Sequence, residues 1–331
     1  MRVAVYGGAG YSGLELARWL HRHPAAELVG LSSNQNQGAV LRDFLPSDRG
    51  LRFSSHEDLA HLDWSLAFLA TPAEVSQELA PRLLEGGRSV IDLSGAFRLP
   101  QDAYPEWYGF SHGAQTWLER AIYGLPELFD DPLPEGPVLI SNPGCYATAA
   151  ALSLGPLVQA DCIADTIFID GKSGTSGAGK KVTERLLFSE VAESLAPYRV
   201  GNHQHTPEIE RTLASLGRRP RVLFAPHLIP MKRGLLTTSF AEARGDSDPL
   251  AVLEAHYEGS GLVEVCSSPP STGSVRDTAV ARVHALRDAR TGGVVAFGAL
   301  DNLVKGAAGQ AIQNLNRIMK LPLCTGLEAG G

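Results

Sequence analysis

Hydrophobic positions in the first part of the chain fall into short apolar runs separated by amphipathic stretches. Arg2–Tyr6, Leu28–Ser32, Leu66–Ala70 and Val90–Leu93 read as strands, Leu14–His21 reads as a helix, and Pro72 opens another helix that runs to about Leu84. Strands alternating with helices of this length predict parallel β-α-β units. The Pro-, Tyr-, Trp- and Asp-rich stretch from Arg98 to Pro137 predicts long ordered loops. After it come a strand at Val138–Ser141, a turn at Asn142-Pro143-Gly144 and an Ala-rich helix from near Cys145. Thr166–Asp170, Val222–Ala225, Leu235–Ala241, Ala279–Leu286 and Val294–Leu300 predict further strands with few crossover helices between them, hence a mixed or antiparallel sheet. The last predicted helix covers Lys305–Lys320, and a domain boundary is expected near Gly144–Cys145. The fold class is therefore α/β, a parallel-sheet domain followed by an α+β domain with a mixed sheet.

Composition narrows the possible partners. With 331 residues, 44% of them hydrophobic and 20% charged, the chain buries a full core and has room for two domains. Its 29 basic and 36 acidic residues give a net charge of −7 without a basic run, which speaks against nucleic acid or an anionic membrane surface as partner. No apolar run approaches the roughly 20 residues of a membrane span. The start Met1-Arg2-Val3-Ala4-Val5-Tyr6 leads straight into a strand without the pattern of a signal peptide, so a cytoplasmic location is expected. The four cysteines (Cys145, Cys162, Cys266, Cys324) are scattered and suggest neither a disulfide framework nor a zinc site.

Gly7-x-x-Gly10-x-x-Gly13 lies between the first strand and the first helix, where a dinucleotide pyrophosphate sits on free N–H groups. The bland alternative is a tight turn. The second strand ends Ser32-Ser33-Asn34, without the acid that holds a ribose 2′-hydroxyl, which points to NADP(H). No arginine in that turn clamps the 2′-phosphate. A second glycine loop, Gly171–Lys181, nearly matches a P-loop. Lys181 replaces the Ser or Thr that would bind Mg²⁺, so a flexible loop over a phosphate-bearing ligand is the preferred reading, with a triphosphatase as the alternative.

Cys145 falls in the first turn of its helix after a Pro-Gly turn, a location that stabilises a thiolate and offers N–H groups to an oxyanion. The other three cysteines read as small buried hydrophobes. His205 in Asn202-His203-Gln204-His205-Thr206-Pro207-Glu208 is the candidate acid/base. Thr206 is expected as N-cap and Pro207 as the first helical residue, with His205 just before the helix. His203 and His205 as metal ligands are an alternative, but no further ligand of suitable spacing completes a site and no metal is expected. A nucleotide loop with an activated thiol implies hydride transfer through a thioester.

These segments, with Asp92–Arg98, Ile122–Glu127, Pro226–Gly234 and Asp301–Gln310, resemble the N-acetyl-γ-glutamyl-phosphate reductase family within the aspartate-semialdehyde dehydrogenase-like group, along nearly the whole chain. The resemblance implies a Rossmann domain (1–144 and 303–331), a catalytic and dimerisation domain (145–302), NADPH as reductant, a small acyl phosphate as substrate, and a homodimer or homotetramer. It implies Cys145 as nucleophile and His205 as acid/base, with Arg98, Asn142, His203 and Glu208 at the substrate. Gly7, Gly10, Tyr11, Ser12, Gly13, Ser32, Ser33, Pro72, Ser176, Gly177 and Asn302 are the candidates for the cofactor. The chain departs from the family at Ala96, where many relatives carry Asp, and at Asp277-Thr278-Ala279, where a Gly-Ser/Thr-Asn run is frequent. Alternatives are the same chemistry on aspartyl phosphate or an aminoadipyl phosphate presented on a carrier, and a non-catalytic NADP-sensing regulator.

Overall fold

The computed structural model describes residues 1–46 and 50–328. In chain order the elements are β1 (Arg2–Tyr6), α1 (Tyr11–Leu20), β2 (Glu27–Ser32), β3 (Phe53–Ser54), α2 (His56–Ala60), β4 (Leu66–Leu69), α3 (Ala73–Glu85), β5 (Ser89–Asp92), α4 (Tyr104–Trp107), α5 (Gln115–Arg120), β6 (Ile122–Tyr123) and β7 (Leu139–Ser141). They continue with α6 (Cys145–Gln159), β8 (Ile163–Gly174), α7 (Phe188–Val191), β9 (Ala196–Pro197), α8 (His205–Ala214), β10 (Arg221–Ile229), β11 (Leu235–Ala243), α9 (Pro249–Tyr257), β12 (Val263–Val265), β13 (Ala281–Arg287), β14 (Val294–Leu300) and α10 (Gly309–Ile318). Two compact units result, Met1–Pro143 with Ala307–Gly331, and Gly144–Gly306.

The first unit is built on a seven-stranded sheet in the order β3-β2-β1-β4-β5-β7-β6, parallel throughout. β4 is buried at every position and β1 at all but its first, as a parallel sheet covered on both faces requires. The strand order reverses between β1 and β4, and ligands of such sheets bind at the carboxyl ends of those strands. The stretch predicted as loops holds α4, α5 and β6. Tyr104 at the start of α4 is buried, its hydroxyl donating to the Gly95 carbonyl at 3.0 Å and accepting from the N–H of Arg98 at 3.1 Å. The C-terminal helix belongs to this unit. Asn314 on α10 donates to the Gly124 carbonyl at 3.0 Å, and Gln310 donates to the same oxygen at 2.9 Å. The chain turns helical near the predicted Lys305, but Val304–Ala308 winds as one π-helical turn and the α-helical part, α10, starts only at Gly309.

The second unit is a mixed sheet in the order β12-β13-β14-β11-β8-β10-β9. Its longest strand, β8, pairs in parallel with β10 and antiparallel with β11. Those two neighbours extend β8 to Gly174, so Gly171–Gly174 is strand and not the flexible loop expected from its glycines. Only the following residues, Thr175–Ala178, curl into a short 3₁₀ turn, and no α-helix follows as a P-loop would need. Gly171 is required there, since a Cβ would lie 2.6 Å from the Tyr146 ring and 2.8 Å from the Phe224 ring.

α6 is the centre of this unit. Tyr146–Val158 are all buried, so the helix is apolar all round, as for a helix covered on every side. It packs against β11, β13 and β14 and against α8 and α9. It lies so close to the sheet that a Cβ on Gly298 would stand 2.3 Å from the Ala149 carbonyl oxygen. Among the described residues no helix is long and apolar enough to cross a membrane. Gly298→Ala pushes α6 off β14 and is expected to cost about 1–3 kcal/mol in chemical denaturation; an unchanged midpoint would show that the helix can shift without strain.

Candidate active site

In the first unit, the turn after β1 is shaped by two close backbone approaches. Gly7 has φ of +78°, and a Cβ on it would sit 2.4 Å from the Ala70 carbonyl oxygen at the end of β4. A Cβ on Gly13 would sit 2.5 Å from the Gly7 carbonyl oxygen, so α1 can start this tightly only without a side chain there. Gly10 is the N-cap, and Tyr11 and Ser12 open α1 with their N–H groups in the first turn. Pro72 caps α3 on the neighbouring strand connection and is exposed. These are the features of a pyrophosphate cradle. Ser32 and Ser33 behave otherwise. Ser32 is fully buried, with its Oγ 2.7 Å from His56 Nδ1 and its carbonyl accepting from Gly8 N–H at 2.9 Å. The Ser33 hydroxyl accepts from Asn36 Nδ2 at 3.0 Å.

Arg98 and Asn142 also belong to this unit. Arg98 is 5% exposed, and its Nε and Nη2 donate to the carbonyls of Asn142 and Leu93 at 2.9 and 2.8 Å. The guanidinium thus braces the turn that precedes Cys145 in the chain. Asn142 is fully buried. Its Nδ2 donates to the Ala307 carbonyl at 3.2 Å and its Oδ1 accepts from Asn314 at 3.0 Å. Asp92 supports the same turn by accepting Asn142 N–H on its carbonyl at 2.8 Å. Burial pushes the Asp92 carboxyl up from the usual range, against the lowering effect of Ser94 and Arg98.

In the second unit Cys145 is the first residue of α6, after Gly144 in an extended conformation (φ −73°, ψ 152°). Its thiol is in no disulfide and is partly exposed. Thr148 closes the first turn by donating from its hydroxyl and its N–H to the Gly144 carbonyl, at 3.0 and 2.8 Å. Two further constraints frame the cysteine. A Cβ on Gly144 would lie 2.3 Å from His205 Nε2, so the imidazole packs directly on the residue before the thiol. A Cβ on Gly306 would lie 2.7 Å from the Cys145 Cβ. Burial pushes the thiols of Cys162 and Cys266 up, which disfavours their thiolate forms.

Glu208, fully buried on α8, accepts the N–H of Gly144 on Oε1 at 2.8 Å. One helix therefore carries both the imidazole that touches Gly144 and the carboxylate that holds its amide. The sequence spacing His205-x-x-Glu208 placed the two on one helix face, but it gave no hint of the partner. His205 itself is the first residue of α8, not a residue before it, and Thr206 is not the cap. The imidazole Nδ1 of His203 accepts His205 N–H at 3.1 Å and the His203 carbonyl accepts Thr206 N–H at 2.9 Å, winding the helix earlier. His203 lies between Tyr146, Tyr198 and Phe224, with ring centroids 5.8, 5.5 and 5.3 Å away. Burial, with smaller effects of His205 and Arg199, pulls its pKa down to about 2, so it stays neutral and acts as a fixed acceptor. No group of three potential metal ligands exists among the described residues.

Asn302, Ser176 and Gly177 form one braced cluster. Asn302 Nδ2 donates to Ser176 Oγ and its Oδ1 accepts Gly234 N–H, both at 2.9 Å, while Gly177 packs on Ser173 Oγ. Nearby, Arg233 forms an ion pair with Asp277 and lies 3.4 Å from Asp301, and Asp277 sits at φ of +62°. The departure from the family at Asp277 thus places a carboxylate on Arg233.

Residues 2–135 match the family described as semialdehyde dehydrogenase, NAD binding domain, and residues 145–302 match semialdehyde dehydrogenase, dimerisation domain. N-acetyl-gamma-glutamyl-phosphate reductase of Thermus thermophilus is 42% identical over 346 residues, covering 99% of this chain and 99% of its own. The protein of the same name from Dehalococcoides mccartyi is 41% identical, covering 99% and 97%. Among solved structures, aspartate semialdehyde dehydrogenase II from Vibrio cholerae superposes with a TM-score of 0.73 at 19% identity over 96% of this chain and 98% of that one. Aspartate semialdehyde dehydrogenase with NADP from Candida albicans gives 0.71 at 14% identity over 96% and 98%. At such identities the structural likeness speaks for the fold, whereas the curated relatives match at about twice that identity and end to end. The chain belongs to the N-acetyl-γ-glutamyl-phosphate reductase family of semialdehyde dehydrogenases.

Proposed function

We propose that this protein reduces N-acetyl-γ-glutamyl phosphate to N-acetylglutamate 5-semialdehyde and phosphate with NADPH, a step of arginine biosynthesis. The observation that carries the reading is the thiol at the first residue of a buried helix, with His205 packed on the glycine before it. His205 takes the thiol proton, and the Cys145 thiolate attacks the γ-carbonyl carbon. The carbon–oxygen bond to phosphate breaks, phosphate leaves with its electron pair, and a thioester remains on Sγ. The amides of the first turn of α6 stabilise the oxyanion. Arg98, pinned by two carbonyls, supplies a fixed positive charge for the leaving phosphate. The Gly7–Gly13 loop would hold NADPH, which when bound would supply the hydride that reduces the thioester. The carbon–sulfur bond then breaks, the semialdehyde departs, and His205 returns the proton to Sγ. His203, Glu208 and the Tyr146–Tyr198 frame position these groups. Asn302 and Ser176 hold the 3₁₀ turn in place.

The outer face of the mixed sheet supports a homodimer as the minimal assembly. Leu223 on β10, Phe168 on β8 and Phe240 on β11 are register neighbours, 54%, 49% and 45% exposed, and Val295 on β14 continues the row. A transverse apolar row of this kind marks a protein interface. None of the four cysteines is in a disulfide, which suits a reducing cytoplasm.

The enzyme is expected to form NADPH from NADP⁺, N-acetylglutamate semialdehyde and phosphate, and Cys145→Ser to lose at least about a thousandfold in rate while binding NADPH normally. Activity with aspartate semialdehyde or a carrier-linked homologue instead would move the substrate; full activity of the serine variant would overturn the thioester. Glu208→Ala should lower kcat by roughly 10–100-fold with little change in KM, and Glu208→Gln, which keeps an acceptor for Gly144 N–H, should recover much of it. Equal loss in both variants would mean that the charge, not the placement, matters. Phe168→Glu with Phe240→Glu should convert the dimer to monomer in analytical ultracentrifugation; an unchanged sedimentation coefficient would put the interface elsewhere.

A further inference from the structure

The end of β2 raises a question that the glycine loop does not answer. A chain that uses NAD places a carboxylate there for the ribose 2′-hydroxyl. This chain has Ser32 and Ser33, and both are buried. Ser32 is fully buried and turned to His56, and Ser33 is bonded to Asn36. Neither is an exposed donor for a 2′-phosphate. The following residues Asn34 and Gln35 are exposed and neutral.

His56 lies two residues beyond β3, the strand paired in parallel with β2, so it stands at the same carboxyl end of the sheet. Its ring is tilted against Tyr6, 5.5 Å between centroids, and Tyr6 stands edge-on to Trp64 at 6.0 Å. The imidazole is therefore held on two sides, by an aromatic ring and by a serine hydroxyl. When Ser32 donates into Nδ1 at 2.7 Å, the ring proton resides on Nε2. Nε2 makes no hydrogen bond among the described residues, and the residue keeps part of its surface in solvent. Three charged residues of this part of the chain, among the described ones, have partners of their own. Asp58 accepts from Ser55, Arg52 donates to the Gly38 carbonyl, and Arg88 stacks on Trp64.

We propose that His56 is the specificity residue for the cofactor's 2′-phosphate, its Nε2–H donating to a phosphate oxygen while Ser32 holds the ring from behind. Serine at the end of β2 is then a support and not a ligand. The inference rests on the NADPH-dependent reading, and nucleotide binding tests it first, apart from turnover.

Calorimetry with 2′,5′-ADP and 5′-ADP on the full-length protein separates the two. Wild type is expected to bind 2′,5′-ADP at least tenfold tighter. His56→Phe, which preserves the packing on Tyr6, should lose roughly tenfold for 2′,5′-ADP, the size of one charge-assisted hydrogen bond, and nothing for 5′-ADP. His56→Gln, which keeps an N–H donor, should restore part of the preference. In steady-state assays the Phe variant should raise KM for NADPH with kcat and the NADH parameters unchanged. Equal losses for both nucleotides would reduce His56 to a packing residue, and an unaltered preference would place the 2′-phosphate on other groups; either overturns this proposal alone. A wild type that binds 5′-ADP as tightly as 2′,5′-ADP, or neither, would overturn the NADPH reading with it.

Discussion

The hydrogen bond from Gly144 N–H to the buried carboxylate of Glu208 is the interaction on which the thiol site depends. The amide belongs to the residue before Cys145 and the carboxylate to the helix that begins with His205. A bond between a neutral donor and a charged acceptor in the interior contributes about 1.5–3 kcal/mol, and loss of one partner leaves the other unsatisfied. It fixes the thiol turn and the imidazole to one another without using either reacting group. Around this bond the other features are supports: Thr148 closes the first turn of α6, His203 caps α8 as a neutral acceptor, and two tyrosines wall the imidazoles.

Much of this was legible in the chain. Arg2–Tyr6 and Val294–Leu300 coincide with β1 and β14 because continuous apolar runs bounded by polar residues leave one solution. Cys145 at the start of a helix followed from a Pro-Gly turn before an Ala-rich run. What was illegible depended on distant partners. β8 runs on through its glycines because β10 and β11 supply hydrogen bonds on both edges, which no local propensity reveals. The start of α8 was misplaced because a histidine, not the threonine that propensity favours, accepts the first amide. α9, with apolar residues on most faces, lacks the periodicity that betrays a surface helix. Glu208 stood in plain view, but its partner lies 64 positions away.

The charges tell a related story. The chain as a whole repels anions, yet acyl phosphates are anionic. The structure resolves this locally: Arg98 is immobilised by two carbonyls, and Asp92 below the same turn is held toward its neutral form by burial. A rigid cation beside a carboxyl that resists ionising keeps its field, whereas an exposed ion pair would cancel it.

The contact between His205 and Gly144 also limits how this protein can change over generations. Every single-base substitution that changes the residue at a glycine codon installs either a side chain with a Cβ or a stop signal, and at Gly144 a Cβ would lie 2.3 Å from the imidazole Nε2. Gly306 imposes the same condition from the other flank of Cys145. Mutational drift is therefore resisted at two glycines that flank the nucleophile, and changes of substrate preference have more room at residues elsewhere in the site.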